Sequence, residues 1–418
     1  MKLDDLFDRL ELERTLTAAG TESLALLITG ASGIGKSTVI NTWSKHVAED
    51  TKTTFVDYEL TPSSDGQLSK SGVLITTDKK TITVEDIMAD RAKFHVFGDL
   101  RLTSHDPVDL TGILRPVNNQ FARFIPVELA VLLGSGPGTL VLDEFTNEHR
   151  DSMQAASLKI LRDHKLGGIP LHNDVMVVAL GNSPKQSMLA NKLAKPVRSR
   201  FVVIDVDPPS LEEWAAYNDK VFGPDGWDHS TLAYLYWKPS DFSPESADDE
   251  DFDGVSPPAD PRGWSYVARG MHIIKTKFAD NPKRTNLFVT DLPAEKLGPV
   301  VGASFNAFTN TKIPSFDELV DNPSVISEFK AEQIYLTAVT IGERVKSDPT
   351  SVGNAAKIID YIASSIRKTN GKGTKVSDQE IITIIFAMIP QKVKDGIWTS
   401  CGSAAKSLMA RIGGQYRK

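Results

Sequence analysis

The residues Gly30-Ala31-Ser32-Gly33-Ile34-Gly35-Lys36-Ser37 have the spacing G-x-x-x-x-G-K-S, after an apolar run LALLIT and before residues able to continue a helix. That is the P-loop pattern in its proper strand-turn-helix context. The three glycines let the backbone turn tightly and aim N–H groups at phosphate oxygens, and the N-terminus of the new helix adds the positive end of its dipole. Lys36 then reaches the β- and γ-phosphates and Ser37 ligates Mg²⁺, so the segment from Gly30 to Thr38 is the candidate site for ATP. Kinases, GTPases, helicases and remodelling motors all use such a loop, so it names a ligand and leaves the work open.

A second constellation narrows the work. The apolar strand Leu140-Val141-Leu142 runs into Asp143-Glu144, the shape of a Walker B motif. At a strand's C-terminal edge Asp143 holds Mg²⁺ through water, and Glu144 polarises the attacking water as general base. Paired acids of this kind select hydrolysis over phosphate transfer to a small molecule. A third strand ends in Gly181-Asn182-Ser183-Pro184, where the Asn182 amide can hydrogen-bond that water and report on the γ-phosphate. Arg198 and Arg200 come just before a further strand, VVIDV.

These residues need a sheet to hold them. Residues 1–20 read as a helix closed by Gly20, and short β-rich runs (TTFVDYEL, GVLITT, KTITV, KFHVF) follow between Thr51 and Gly98. TLVLDEF and DVMVVALGN are nearly continuous apolar strands, as in a parallel sheet covered on both faces, and QAASLKILRDH between them has helical spacing. The pattern predicts an α/β P-loop core over 21–208 with a β-rich insertion at 51–124. A helical lid over 209–310 follows, carrying an acidic, proline-bearing loop at 240–260, and then a helical region over 311–418.

With 418 residues, 40% apolar and 24% charged, the chain can bury a large core as two or three domains. A formal charge of −7 argues against a general nucleic-acid coat. One cysteine, Cys401, excludes an internal disulfide and fits a reducing cytoplasm; the eight histidines show no metal-ligand spacing. The charged N-terminus is no signal peptide, and no apolar run is long enough to span a membrane.

Taken in order, GASGIGKST, DPVDLTG, LVLDEFTNEHRDSMQAASLKILRDHKLGG, VVALGNSP, PVRSRFVVIDV, EEWAAY, ADPRGW and VGASFNAF resemble MoxR-like AAA+ ATPases, of the dynein-related AAA+ branch, over roughly residues 24–310. The resemblance implies a homo-oligomeric ring, usually a hexamer, that hydrolyses ATP with Mg²⁺ to remodel or activate a protein target, often with a von Willebrand factor A-domain partner. It implies Asn182 as sensor 1, Arg200 as the arginine finger with Arg198 as substitute, and Arg262 as sensor 2 opening a helix of the lid. It also implies pore-facing roles for ILRPVNNQFARF (113–124) and LGGIPLHND (166–174). Thr146-Asn147-Glu148-His149 departs from the usual residues after the acid pair. Two readings stand beside this one: a nucleic-acid motor or loader using Arg115, Arg123 and Lys165, and a slowly hydrolysing assembly scaffold.

Overall fold

A computed structural model describes residues 1–19, 25–58, 73–76, 81–118, 120–182, 201–243, 257–369, 378–389, 391–403, 405–407 and 409–410. The chain divides into two units, Met1–Pro208 and Pro209–Lys418.

The first unit runs α1 (Leu3–Ala18), β1 (Ala25–Gly30), α2 (Lys36–Asp50), β2 (Thr54–Asp57), β3 (Val73–Thr76), β4 (Thr81–Thr83), α3 (Val84–Ala89), β5 (Phe94–Arg101), α4 (Pro107–Thr111), β6 (Ile113–Val117), β7 (Phe121–Ile125), α5 (Glu128–Ser135), β8 (Gly138–Asp143), α6 (Asp151–Asp163), β9 (Lys165–Leu166), β10 (Ile169–Pro170), β11 (Val175–Asn182) and β12 (Phe201–Val206). Its main sheet has the order β12-β1-β11-β8-β5-β2-β3-β4. The six strands from β12 to β2 are parallel, and β3 and β4 extend the edge antiparallel.

Alternation along the central strands feeds two apolar layers. Leu27, Leu140, Leu142, Val177 and Ala179 pack with Leu129 and Leu133 of α5 and Met153 and Ile160 of α6. Leu26, Ile28, Val141, Val178 and Leu180 face the other way, onto Ile40, Trp43 and Val47 of α2 and Leu6 and Leu10 of α1. Because both faces are covered, the strands read as unbroken apolar runs, and each such side chain contributes about 1.5–3 kcal/mol by leaving water. This is the α/β P-loop core with a parallel sheet that the residue pattern predicts, followed by a mainly helical region.

Within 51–124 the strands take several roles. β2 and β5 are parallel members of the main sheet, β3 and β4 are its edge, and β6 and β7 form a separate hairpin. The run KFHVF lies inside the sheet because Val96 and Phe97 are buried between helices.

The second unit is helical. The helix Ser230–Trp237 is apolar nearly all round because seven of its eight residues are buried. Tyr234 packs edge-on to Phe305 and Phe308, and Trp264 donates to the Asp241 carbonyl at 2.8 Å. One apolar cluster continues from Trp214 to Met409, across the division at residue 310 drawn from the sequence. A buried carboxylate, Asp228, is balanced by Lys275 at 2.5 Å. No helix among the described residues is long and apolar enough to cross a membrane.

Candidate functional site

The site forms where β1, β11 and β8 end side by side. β1 is buried along its whole length and stops at Gly30, whose register partner on β11 is Asn182. The loop that follows needs left-handed backbone: Gly33 has φ 76° and Gly35, the N-cap of α2, has φ 100°. A side chain at either position would strain that geometry. α2 then begins at Lys36, so its unpaired N–H groups open toward the loop, the arrangement that receives phosphate. The Lys36 ammonium donates to the carbonyls of Gly30 (3.0 Å) and Ala31 (2.8 Å) and reaches the Asn182 amide oxygen at 3.5 Å. The P-loop lysine and the candidate sensor therefore meet directly.

β8 delivers the acid pair. Glu144 takes a left-handed conformation, φ 58° and ψ 27°, and its N–H donates to the Asp143 carboxylate at 2.9 Å. That turn separates the two acids, leaving Asp143 in line with the strand while Glu144 swings out. Such a conformation in a non-glycine residue is sustained only where its surroundings fix it. Here the Asn147 amide donates to the Glu144 carboxylate at 2.5 Å, and the Asn147 N–H donates to the Glu144 carbonyl at 3.0 Å.

Thr146 ties this turn to the neighbouring strand. Its hydroxyl donates to the Asn182 carbonyl at 3.0 Å and accepts from the Asn182 N–H at 2.8 Å. The approach is possible because Gly181 lacks a side chain: a Cβ there would lie 2.4 Å from the Thr146 hydroxyl. Beyond it, Arg150 holds buried Glu148 through a two-pronged contact and donates to the Leu102 carbonyl at 2.7 Å. Thr146-Asn147-Glu148 thus braces the acid pair and the end of β11.

α2 is pinned to β8 from beneath. The Ser44 hydroxyl meets the Thr139 hydroxyl at 3.0 Å, and Thr139 meets His95 Nε2 at 3.0 Å, all inside the core. Burial, with the Arg91 and Arg14 guanidinium groups adding to it, holds the His95 imidazole down to about 4, so it is neutral.

On the β5 side a cleft of about 470 Å³ is lined by Ser37, Asn41, Asp57, Asp99, Arg101 and Ser104, among others. Desolvation, then the nearby Asp143 carboxylate, pushes the Asp99 carboxyl up to about 6. Arg101, register partner of Asp143 on the adjacent strand, sets its guanidinium 3.9 Å from that carboxylate. Among the described residues no three of His, Cys, Asp or Glu come together as a metal cage. A hydroxyl (Ser37) and one carboxylate (Asp143) are hard oxygen donors that fit Mg²⁺ shared with phosphates, the mode in which this ion keeps most of its waters.

The structure brings together Gly30 to Thr38, Asp143, Glu144 and Asn182 within the first unit. Arg198 and Arg200 lie outside the described residues, as do Ser183, Pro184 and Gly20, together with 244–256 of the acidic stretch. Arg262 is exposed in the first turn of the helix Pro261–Lys277 of the second unit. The 113–124 segment is the β6–β7 hairpin, with Arg115 opposite Arg123, and 166–170 forms the β9–β10 hairpin around Gly167 and Gly168. Sequence reasoning missed the Thr146 and Asn147 contacts and Arg101. The available signal for Thr146 was Gly181, a strand residue without a side chain just before the polar strand end.

The site and sheet define a P-loop α/β protein. No family model matches the chain, and no curated protein matches it. Solved structures similar to it include a mutant of Thermotoga maritima RuvB (10% identity, 87% of this chain and 85% of that one, TM-score 0.35). The Aeropyrum pernix ORC1 protein in complex with DNA is also similar (12%, 98% and 94%, 0.36), as is Brucella abortus NtrX in complex with ADP (13%, 80% and 64%, 0.37).

Proposed function

We propose that the chain is a MoxR-like AAA+ ATPase that binds and hydrolyses ATP at the subunit interfaces of a ring, a hexamer by its resemblance, to remodel or activate a protein target. The observation that carries the hydrolytic part is the junction of β1, β11 and β8, where Lys36, Asn182, Asp143 and Glu144 share one edge of the sheet. Backbone N–H groups of Gly33 to Lys36 receive the phosphates, and Lys36 exchanges its loop carbonyls for phosphate oxygens. Mg²⁺, when bound, neutralises developing charge on the phosphates. Glu144, oriented by Asn147, takes a proton from water as the water oxygen bonds the γ-phosphorus and the bond to the β,γ-bridging oxygen breaks. ADP and inorganic phosphate leave. Arg200, or Arg198 in its place, supplies a neighbour's site with positive charge, and a von Willebrand factor A-domain partner recruits the target.

The test is phosphate release by the wild type and by Glu144→Gln, with sedimentation of the variant in ATP. The amide keeps shape and loses basicity, so turnover falls by about 10²–10⁴ while labelled ADP still binds and the ATP-loaded variant sediments as a ring. Undiminished phosphate release removes Glu144 from the chemistry; a monomer in saturating ATP removes the ring. One observation favours a second reading. Arg115 and Arg123 stand side by side on an exposed hairpin and share their face with Ile113, Ile125 and Phe121, a surface able to hold a nucleic-acid strand. DNA affinity that collapses between low and moderate salt selects that motor over the protein remodeller.

A further inference from the structure

Arg101 has no part in the reading above, and its placement is specific. It ends β5, two residues after Asp99, so both side chains leave the same face of the strand. Its register partner across the parallel ladder is Asp143, with the guanidinium 3.9 Å from the carboxylate. Asp143 is 15% exposed and Arg101 62% exposed, so the cation reaches a mostly covered anion from the open, cleft-lining side of the strand end. Ser37, the other candidate metal ligand, lines the same cleft.

We propose that Arg101 is a positioning residue that competes with Mg²⁺ for Asp143 and so sets the metal requirement of nucleotide binding. This rests on the P-loop reading of the site. With no metal present, the guanidinium offsets the neighbouring carboxylates of Asp143 and Asp99. Metal entering with nucleotide takes the Asp143 carboxylate, and the guanidinium is displaced toward the open side of the cleft. An exposed arginine held 3.9 Å from Asp143 suits that role, because it can leave without breaking a buried network. A structural arginine in this same domain looks different: Arg91 is buried and donates to the carbonyls of Leu132, Phe94 and Pro137.

The test is a Mg²⁺ titration of the binding of ADP carrying a fluorescent ribose label, using wild type, Arg101→Ala, Arg101→Lys and Lys36→Ala. Removing the competing cation lowers the Mg²⁺ concentration at the midpoint by about two- to fivefold in Arg101→Ala, the range for one partly exposed charge pair. Arg101→Lys stays near the wild type, and melting temperatures are unchanged, as suits an exposed side chain. A midpoint in Arg101→Ala equal to or above that of the wild type overturns the proposal and leaves the P-loop reading standing. A wild type that binds labelled ADP without metal dependence also overturns the proposal alone, whereas one that binds no better than Lys36→Ala overturns both.

Discussion

At the scale of single residues, the site is governed less by its acids than by the short polar side chains that hold them. Thr146 both gives to and takes from the main chain of Asn182, so one hydroxyl fixes the end of β11 relative to the turn after β8. Thr146→Val keeps the volume and removes both bonds, leaving the half-buried Asn182 N–H without its partner at a cost of about 1 kcal/mol or more. The expected result is lower stability in urea, together with a fall in phosphate release larger than any loss in ADP affinity, because Asn182 loses its aim while the P-loop is untouched. Equal losses in turnover and affinity would show that Thr146 supports the whole site rather than Asn182, the proposed sensor, alone.

At the scale of elements, the P-loop is a strand, a glycine turn and a helix that work as one piece. Gly35 caps α2 in the left-handed region, so Gly35→Ala strains the turn by about 1–2 kcal/mol and tilts the first N–H groups of α2 away from their common focus. Labelled-ADP titration should show binding lost or much weakened, with a melting temperature lowered by a few degrees. Elements of this kind are the part legible in sequence. Apolar runs such as LVLD are long and unbroken, glycines mark the turn, and the acids stand at a strand's end, all of which are local signals. β2 and β5, by contrast, read as parts of an inserted β-rich segment, because sheet order depends on which strands meet after the chain has folded back. The Asn147 contact to Glu144 was equally hidden: it depends on the left-handed turn at Glu144, which no residue type announces. Arg101 is unreadable alone, since its significance is its register with Asp143.

At the scale of the whole molecule, each unit carries a buried neutral histidine. His95 in the first and His229 in the second are both held down to about 4, chiefly by burial. The unfolded chain binds these protons near pH 6.5 and the folded protein only near 4. The unfolded state therefore holds more protons in that window. The stability contribution is complete above about 6.5, erodes as pH falls, and is gone below about 4, about 3 kcal/mol for each histidine. Urea midpoints measured from pH 8 to pH 4 should fall along the acid side for both units. His95→Gln, which can still bond Thr139, should flatten that fall for the first unit alone; an unaltered pH profile would show that other groups govern its acid limb.

The place of β1 in the sheet bears on how the protein is made. Its two neighbours, β11 and β12, are Val175–Asn182 and Phe201–Val206, so the strand behind the P-loop has no ladder partner until the ribosome has added them. At about 5–20 residues per second the wait from the P-loop to Val206 is roughly 10–35 s. For that interval the glycine turn exists as sequence without a frame, and cellular ATP cannot serve as an early folding ligand. The apolar strand LLIT is meanwhile unpaired and open to chaperones, and the last strand of the main sheet to emerge, β12, is the one that completes the second ladder of β1.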